Sequence, residues 1–282
     1  MTEVLIADAG STKTSWSYLD KEAGEIIRIQ TEGINPAHQD TASIERTLEK
    51  VAELLSGKGI KHIFYYGAGC ASPSLQSYVG KCLAKVLKPY QTKVNSDLTG
   101  AALSLFGDKK GIACILGTGS NSGLFDKGEI VSQIPSLGFI LGDEGSGVSL
   151  GKRLINNVFK KQISSQVIDL FQTEYNLTVA EIIQRVYLSP KPAPYLASFA
   201  TFLKKNVALP EIKNLVISEF DSFFEKNILS YKNYRQFNVG FIGSIAYNFQ
   251  DLLIRSAKKY GIEKTQILKD PILSLEKYFL EK

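Results

Sequence analysis

The stretch from Gly111 to Gly147 constrains the fold more than any other part of the chain. An apolar run, Ile112-Ala113-Cys114-Ile115-Leu116, breaks into Gly117-Thr118-Gly119-Ser120-Asn121. A second apolar segment follows at Gly123-Leu124-Phe125. After Pro135-Ser136-Leu137-Gly138 the chain reaches Gly142-Asp143-Glu144-Gly145-Ser146-Gly147. This pattern predicts a buried strand, a glycine turn, a hairpin, a loop and a second glycine turn that opens a helix. Glycine permits positive φ and close approach of backbone to a ligand. Hydroxyls and exposed N–H groups in such turns form a cradle for an anion. Two such turns in one stretch predict ligand binding rather than plain chain reversal.

The first part of the chain has a similar plan. Glu3 to Asp8 is an almost continuous apolar strand that ends in Asp8-Ala9-Gly10-Ser11-Thr12-Lys13-Thr14. The segments 15–19 and 25–30 alternate, which predicts an antiparallel meander. The lysine spacing of a Walker A loop is missing, so the polar turn is a hairpin and not a strand-to-helix phosphate loop. A carboxylate at the end of a buried strand is costly unless it is paired or faces a cation, which singles out Asp8. Gly33-Ile34-Asn35-Pro36 leaves Asn35 on a loop. A helix over 41–55, a strand over 62–66, a helix over 75–87 and a short strand over 92–95 follow. Ser96-Asp97 then opens a helix that runs to Phe106. Asp97 reads either as an ordinary helix cap or as a functional carboxylate at a strand end and helix N-terminus. Ile112–Ser122 repeats the part played by Val4–Ser15, so the chain predicts two halves that face each other across a cleft.

From Val148 to Ser230 the spacing is mostly helical, with Ser189–Pro194 as a stiff linker. Pro210 marks a helix start ahead of a segment over 212–231. Asn238–Ile242 is a strand that breaks at Gly243-Ser244, and one helix is expected from there through Tyr260. A short strand over 266–268 and a terminal helix over 272–280 complete the chain. The domain expectation is 1–106, then 107–270 with a helical insertion, then 271–282 as a terminal helix.

At 282 residues the chain has room for two cores. Its net charge is +5, but the lysine pairs are scattered, which predicts a solvated surface and no nucleic-acid partner. Three cysteines without a CxxC pattern fit a reducing compartment, so a cytoplasmic location is expected. The first apolar run stops at Asp8, giving no signal peptide, and no run is long enough to span a membrane.

Together these residues resemble N-acetylglucosamine kinases and their relatives in the BadF/BadG-type ATPase group, within the superfamily of actin, sugar kinases and heat-shock ATPases. The resemblance is strongest over Gly117–Gly147 and clear at Asp8–Thr14, Asn95–Gly100 and Gly240–Ser244. It implies an α/β fold of two actin-like (ribonuclease H-like) domains with a nucleotide and substrate cleft between them. It implies ATP and Mg2+ as cofactors, with Asp8 near the metal and Asp97 as the base. Gly10, Ser11, Thr12, Lys13, Gly117, Thr118, Gly119, Gly243, Ser244 and Asn248 would hold the nucleotide. Asn35, Ser120, Asn121, Gly138 and Asp143 would hold an amino sugar, N-acetyl-D-glucosamine first. A homodimer is compatible with the family. Two departures stand out: the substrate loop reads Pro135-Ser136-Leu137-Gly138, keeping only the last glycine of the family's pair, and Ala208-Leu209-Pro210-Glu211 replaces a Gly-Asp turn. Two other readings compete: an activator ATPase for a 2-hydroxyacyl-CoA dehydratase, and a sugar sensor without catalysis. The first lacks its Gly-Gly-Gln-Asp motif and a cysteine pair. The second lacks room for a DNA-binding segment before Glu3.

Overall fold

A computed structural model describes residues 2–282. The chain forms two compact units. One runs to Lys109 and takes in Phe125–Ile130 and Asp270–Lys282; the other comprises Lys110–Leu124 and Val131–Lys269.

The first sheet contains β1 (Glu3–Ala9), β2 (Lys13–Asp20), β3 (Glu25–Glu32), β4 (His62–Gly67) and β5 (Gln91–Ser96), in the order β3-β2-β1-β4-β5. The meander is antiparallel and β1, β4 and β5 are parallel. Their crossovers are α1 (Thr41–Leu54) and α2 (Pro73–Leu87), and α3 (Asp97–Phe106) follows β5. Val4 to Ala7 are all fully buried, as a central strand covered on both faces requires. Leu5, Ala7, Trp16, Tyr65 and the apolar stripe of α1 form one core.

The second sheet contains β6 (Gly111–Leu116), β7 (Ser120–Asp126), β8 (Glu129–Ile134), β9 (Asn238–Ile242) and β10 (Thr265–Leu268), in the order β10-β9-β6-β7-β8. Read from its other edge, this is the order of the first sheet with β6 in the place of β1. The repeat expected from the sequence is therefore present in topology. Between β8 and β9 lie α4 (Gly138–Leu141), α5 (Gly147–Phe159), α6 (Ser165–Tyr175), α7 (Val179–Ile183), a π-helical turn (Gln184–Leu188), α8 (Pro192–Ser198), α9 (Ala200–Lys205) and α10 (Pro210–Lys226). Phe171, Phe199, Phe202, Phe220, Phe223 and Phe224 are all buried in a core with Phe241 of β9, so these aromatics serve packing. α11 (Ser244–Asn248) and α12 (Gln250–Lys259) follow β9, and α13 (Ile272–Leu280) ends the chain.

Three local expectations need correction. Pro192 and Pro194 are not linker but the first turn of α8, where a missing N–H costs nothing. The helix expected from Gly243 through Tyr260 is broken at Phe249, which buries its ring and caps α11 by its N–H to Ile245. The helix expected over 212–231 ends at Lys226 and tightens into a 3-10 turn over Ile228–Ser230.

α13 belongs to the first unit. It packs on β1, β2 and α3, with Leu275 fully buried and the Phe279 ring 4.3 Å from that of Phe64. Arg28 of β3 grips Glu276 with two bonds of 2.7 and 2.6 Å. No helix among the described residues is long and apolar enough to cross a membrane.

Candidate active site

In the first unit the polar turn after β1 is closed by the Gly10 N–H donating to the Lys13 carbonyl at 2.9 Å. Gly33 donates to the Thr12 carbonyl at 3.1 Å. A Cβ on Gly33 would sit 2.4 to 2.6 Å from backbone atoms of Gly10 and Ser11, so only glycine allows this approach. The following loop brings Asn35 to the turn, where its Nδ2 donates to Ser11 Oγ at 2.8 Å. The Asn35 Oδ1 accepts from the Ala37 N–H, so both ends of this amide are oriented. Ser11, Thr12 and Lys13 are exposed, and Lys13 Nζ lies 3.3 Å from Asp270.

Asp8 stands where β1 meets this turn. Burial, reinforced by the carboxylates of Asp97 and Asp270, pushes its pKa up to about 7, while Lys13 pulls it down. Asp97 is the first residue of α3, one position past the cap. Ser96 takes the cap by accepting the Thr99 N–H at 3.3 Å, so the ordinary-cap reading of Asp97 fails. The Asp97 carboxylate accepts the Leu98 N–H at 2.8 Å. Burial raises its pKa, and the bonds from backbone N–H groups offset part of the rise. Asp270, which the sequence reading missed, joins this acidic corner because the chain returns to the first unit before α13. No local signal marks that return beyond Pro271 at the helix start.

This corner fits magnesium. Oxygen donors suit a hard cation, and Mg2+ is held by one or two carboxylates together with waters and substrate phosphates rather than by a full protein cage. Burial is the largest cause of the raised Asp8 pKa, and a cation beside it would lower that pKa.

In the second unit three glycine turns converge on the end of β6. Gly117 N–H closes its own turn on the Gly119 carbonyl at 3.0 Å. The first N–H groups of α5, from Gly147 and Val148, donate to the carbonyls of Gly117 and Thr118 at 2.9 and 3.1 Å. Asp143 is buried, at φ 61°, and accepts the Ser120 N–H at 3.0 Å. Burial raises its pKa, opposed by that N–H and by Lys152. Gly243 sits at φ 121°, and a Cβ there would lie 2.4 Å from the Leu116 carbonyl oxygen. The corner thus brings together Gly117, Thr118, Gly119, Ser120, Asp143 and Gly243, through backbone bonds, the Asp143 carboxylate and the close approach of Gly243. Ser244 opens α11 and is exposed.

Other expected residues lie outside these contacts. Asn121 turns its Oδ1 to the Ser122 N–H and to Gln133 Nε2, both at 2.9 Å. Gly138 has open space where a Cβ would be. Asn248 is exposed, and its carbonyl accepts Lys204 Nζ. Lys152, absent from the sequence reading, ties α4 to α5 by donating to the Phe139 carbonyl at 2.6 Å.

No protein-family model matches the chain, and no curated protein matches it by sequence. Among solved structures, a Porphyromonas gingivalis protein assigned as an N-acetylglucosamine kinase is 39% identical over 99% of both chains, with a TM-score of 0.93. The chain belongs to the N-acetylglucosamine kinase family. A Chromobacterium violaceum protein with the same assignment is 15% identical over 100% of this chain and 99% of its own, with a TM-score of 0.76. MamK bound to AMPPNP is 12% identical over 99% and 98%, with a TM-score of 0.56. At those identities the likeness is one of fold. Within the N-acetylglucosamine kinase family the two five-stranded sheets are the two actin-like cores.

Proposed function

We propose that the protein is an ATP-dependent sugar kinase whose acceptor is the hydroxyl of an N-acetylated amino sugar, N-acetyl-D-glucosamine first. The observation that carries this reading is the full-length 39% identity to the P. gingivalis protein. The residues supply chemistry suited to it. Phosphoryl transfer asks for positioning and charge stabilisation more than for covalent participation by protein groups. Asp97 takes the proton from the attacking sugar hydroxyl as that oxygen bonds to the γ-phosphorus and the bond to ADP breaks. Its pKa, raised by burial, makes it a better proton acceptor than an exposed carboxylate. The turns Gly10–Lys13 and Gly117–Gly119, each closed by the N–H of its first glycine, present the hydroxyls of Ser11, Thr12 and Thr118 and the Lys13 ammonium to phosphate. Magnesium, held near Asp8, would supply charge neutralisation at the phosphates. Asn35, Ser120, Asn121, Gly138 and Asp143 line the sugar in this reading. An amide-bearing sugar satisfies that polar set, whereas a buried polar group left unpaired costs about 1–3 kcal/mol.

The test is ADP release over N-acetylglucosamine, N-acetylmannosamine, N-acetylmuramic acid, glucosamine and glucose. We expect the highest kcat/KM for an acetylated sugar. Selection should be broad, because Leu137 stands solvent-exposed at φ 59° in the substrate loop. Glucose equalling every acetylated sugar would overturn the amino-sugar assignment, and silence across the panel would overturn the kinase reading.

A further inference from the structure

The strongest feature outside the site is a pocket of about 290 Å3 within the second unit, between α5, the loop that leads into α6, and α10. Its walls carry three side-chain amides, from Asn157, Gln162 and Asn214. No hydrogen bond among the described residues commits any of these amides. The Gln162 N–H donates to the Asn157 carbonyl at 2.7 Å, which holds those two residues side by side. Ile163 and Leu215 add apolar surface. Two charged side chains of the wall are fixed from behind. Arg153 donates from Nη1 to the buried Glu219 at 2.8 Å, and Glu219 also accepts the Ser149 hydroxyl. Glu211 accepts the Ser164 N–H on Oε1 at 3.2 Å and the Ser164 hydroxyl on Oε2. Side chains held in place beforehand lose little freedom when a ligand binds.

We propose that this pocket is a second sugar site, which takes one neutral monosaccharide. A sugar hydroxyl donates and accepts at once, and a side-chain amide offers both functions, so the three amides match a ring of hydroxyls. Arg153 keeps N–H donors beyond the one that Glu219 accepts, and Glu211 adds acceptors. The Ser218 hydroxyl donates to the Leu215 carbonyl at 3.3 Å and still accepts. Ile163 and Leu215 suit the C–H face of a sugar ring. The volume stands at the low end for small-ligand sites, which suits a single ring. Charge disfavours the other ligand classes. Two carboxylates, Glu211 and Glu219, stand against one guanidinium, so a phosphate would meet excess negative charge, while an ammonium would meet Arg153. Arg153 lies six residues past Gly147, about 9 Å along α5, so this pocket is separate from the glycine turns of the candidate active site. The inference does not rest on the kinase reading.

Methyl-detected NMR of the full chain with labelled isoleucine tests the proposal. N-acetylglucosamine and glucose are titrated separately to about 50 mM, a range that covers millimolar affinity. The Ile163 methyl, identified by its loss in Ile163→Val, is expected to shift saturably with at least one of the two sugars. In Asn157→Ala/Asn214→Ala its midpoint should rise about tenfold or more, because two of the amides are gone. Neither side chain has a partner in the protein, so that variant should melt at the wild-type temperature. Inorganic phosphate over the same range should leave Ile163 unmoved. The Ile140 methyl reports separately on the proposed active-site sugar residues, since Gly138 opens α4, and its midpoint should be the same in the double variant. An Ile163 methyl that ignores both sugars, that follows them equally well in the double variant, or that moves with phosphate instead would each overturn the second site. Movement of Ile140 without Ile163 would sink this site and leave the kinase reading standing. Movement of Ile163 without Ile140 would support this site and count against the sugar assignment of the active site.

Discussion

Asp8 and Asp97 show how one environment gives two carboxylates different expected behaviour. Asp97→Asn keeps the shape and the acceptor for the Leu98 N–H but removes the proton acceptor. It should lower kcat by at least about 10²-fold while leaving nucleotide binding nearly intact. Turnover near the wild-type value would reduce Asp97 to a helix-end residue. Asp8 gives a prediction about stability instead. Its folded pKa of about 7 is above that of an unfolded aspartate, roughly 3.9. Between those values the folded chain retains a proton that the unfolded chain has released. Stability therefore falls as pH rises from about 4 to about 7 and levels off above. Asp8→Asn removes this slope. Thermal melts in EDTA should show the variant gaining on the wild type through that window and holding a constant lead above pH 7. A lead that does not change with pH would mean that Asp8 titrates normally. The Ser11–Asn35 bond was not legible in sequence, where the two residues were expected to bind different ligands. Their hydrogen bond, at 2.8 Å, ties the turn after β1 to the loop that carries Asn35.

At the scale of elements, the strands are legible in the sequence because their signals are local. The terminal helix was expected over the same residues it occupies, since Pro271 sets its start and its apolar spacing runs unbroken. The helical insertion was less legible. Apolar spacing alone cannot show that Pro192 and Pro194 stand in a first turn, or that the chain breaks at Phe249, because tertiary burial decides both. Asp270 was missed for a related reason: it reaches Asp8 only through a chain return across most of the sequence. The glycine turns were legible as turns, but their convergence on β6 was not. Gly243 has φ 121° and ψ 165°, a region that other residues essentially avoid, and its missing Cβ makes room for the Leu116 carbonyl. Gly138 also has positive φ but faces open space. Gly138→Ala should then cost about 1 kcal/mol of backbone strain. Gly243→Ala should cost roughly 3 kcal/mol and weaken nucleotide binding as β6 and its turn shift. Equal losses in urea denaturation would show that the contact at Gly243 relaxes freely.

At the scale of the whole molecule, the two sheets share one strand order, yet they differ in how the chain completes them. The second unit is nearly continuous in sequence, from Lys110 to Lys269 apart from one hairpin tip. The first takes its covering helix from Ile272–Leu280, the last helix of the chain, through Leu275, Phe279 and the Arg28–Glu276 grip. During synthesis, then, the half that leaves the ribosome first must wait for α13, which is made after the second unit. A free chain truncated after Lys269 should resist protease across its later half while its earlier half is cut, and the chain carrying the thirteen residues from Asp270 to Lys282 should close that gap. The early half would spend most of translation with the seat of Phe279 uncovered, in the state that holdase chaperones recognise.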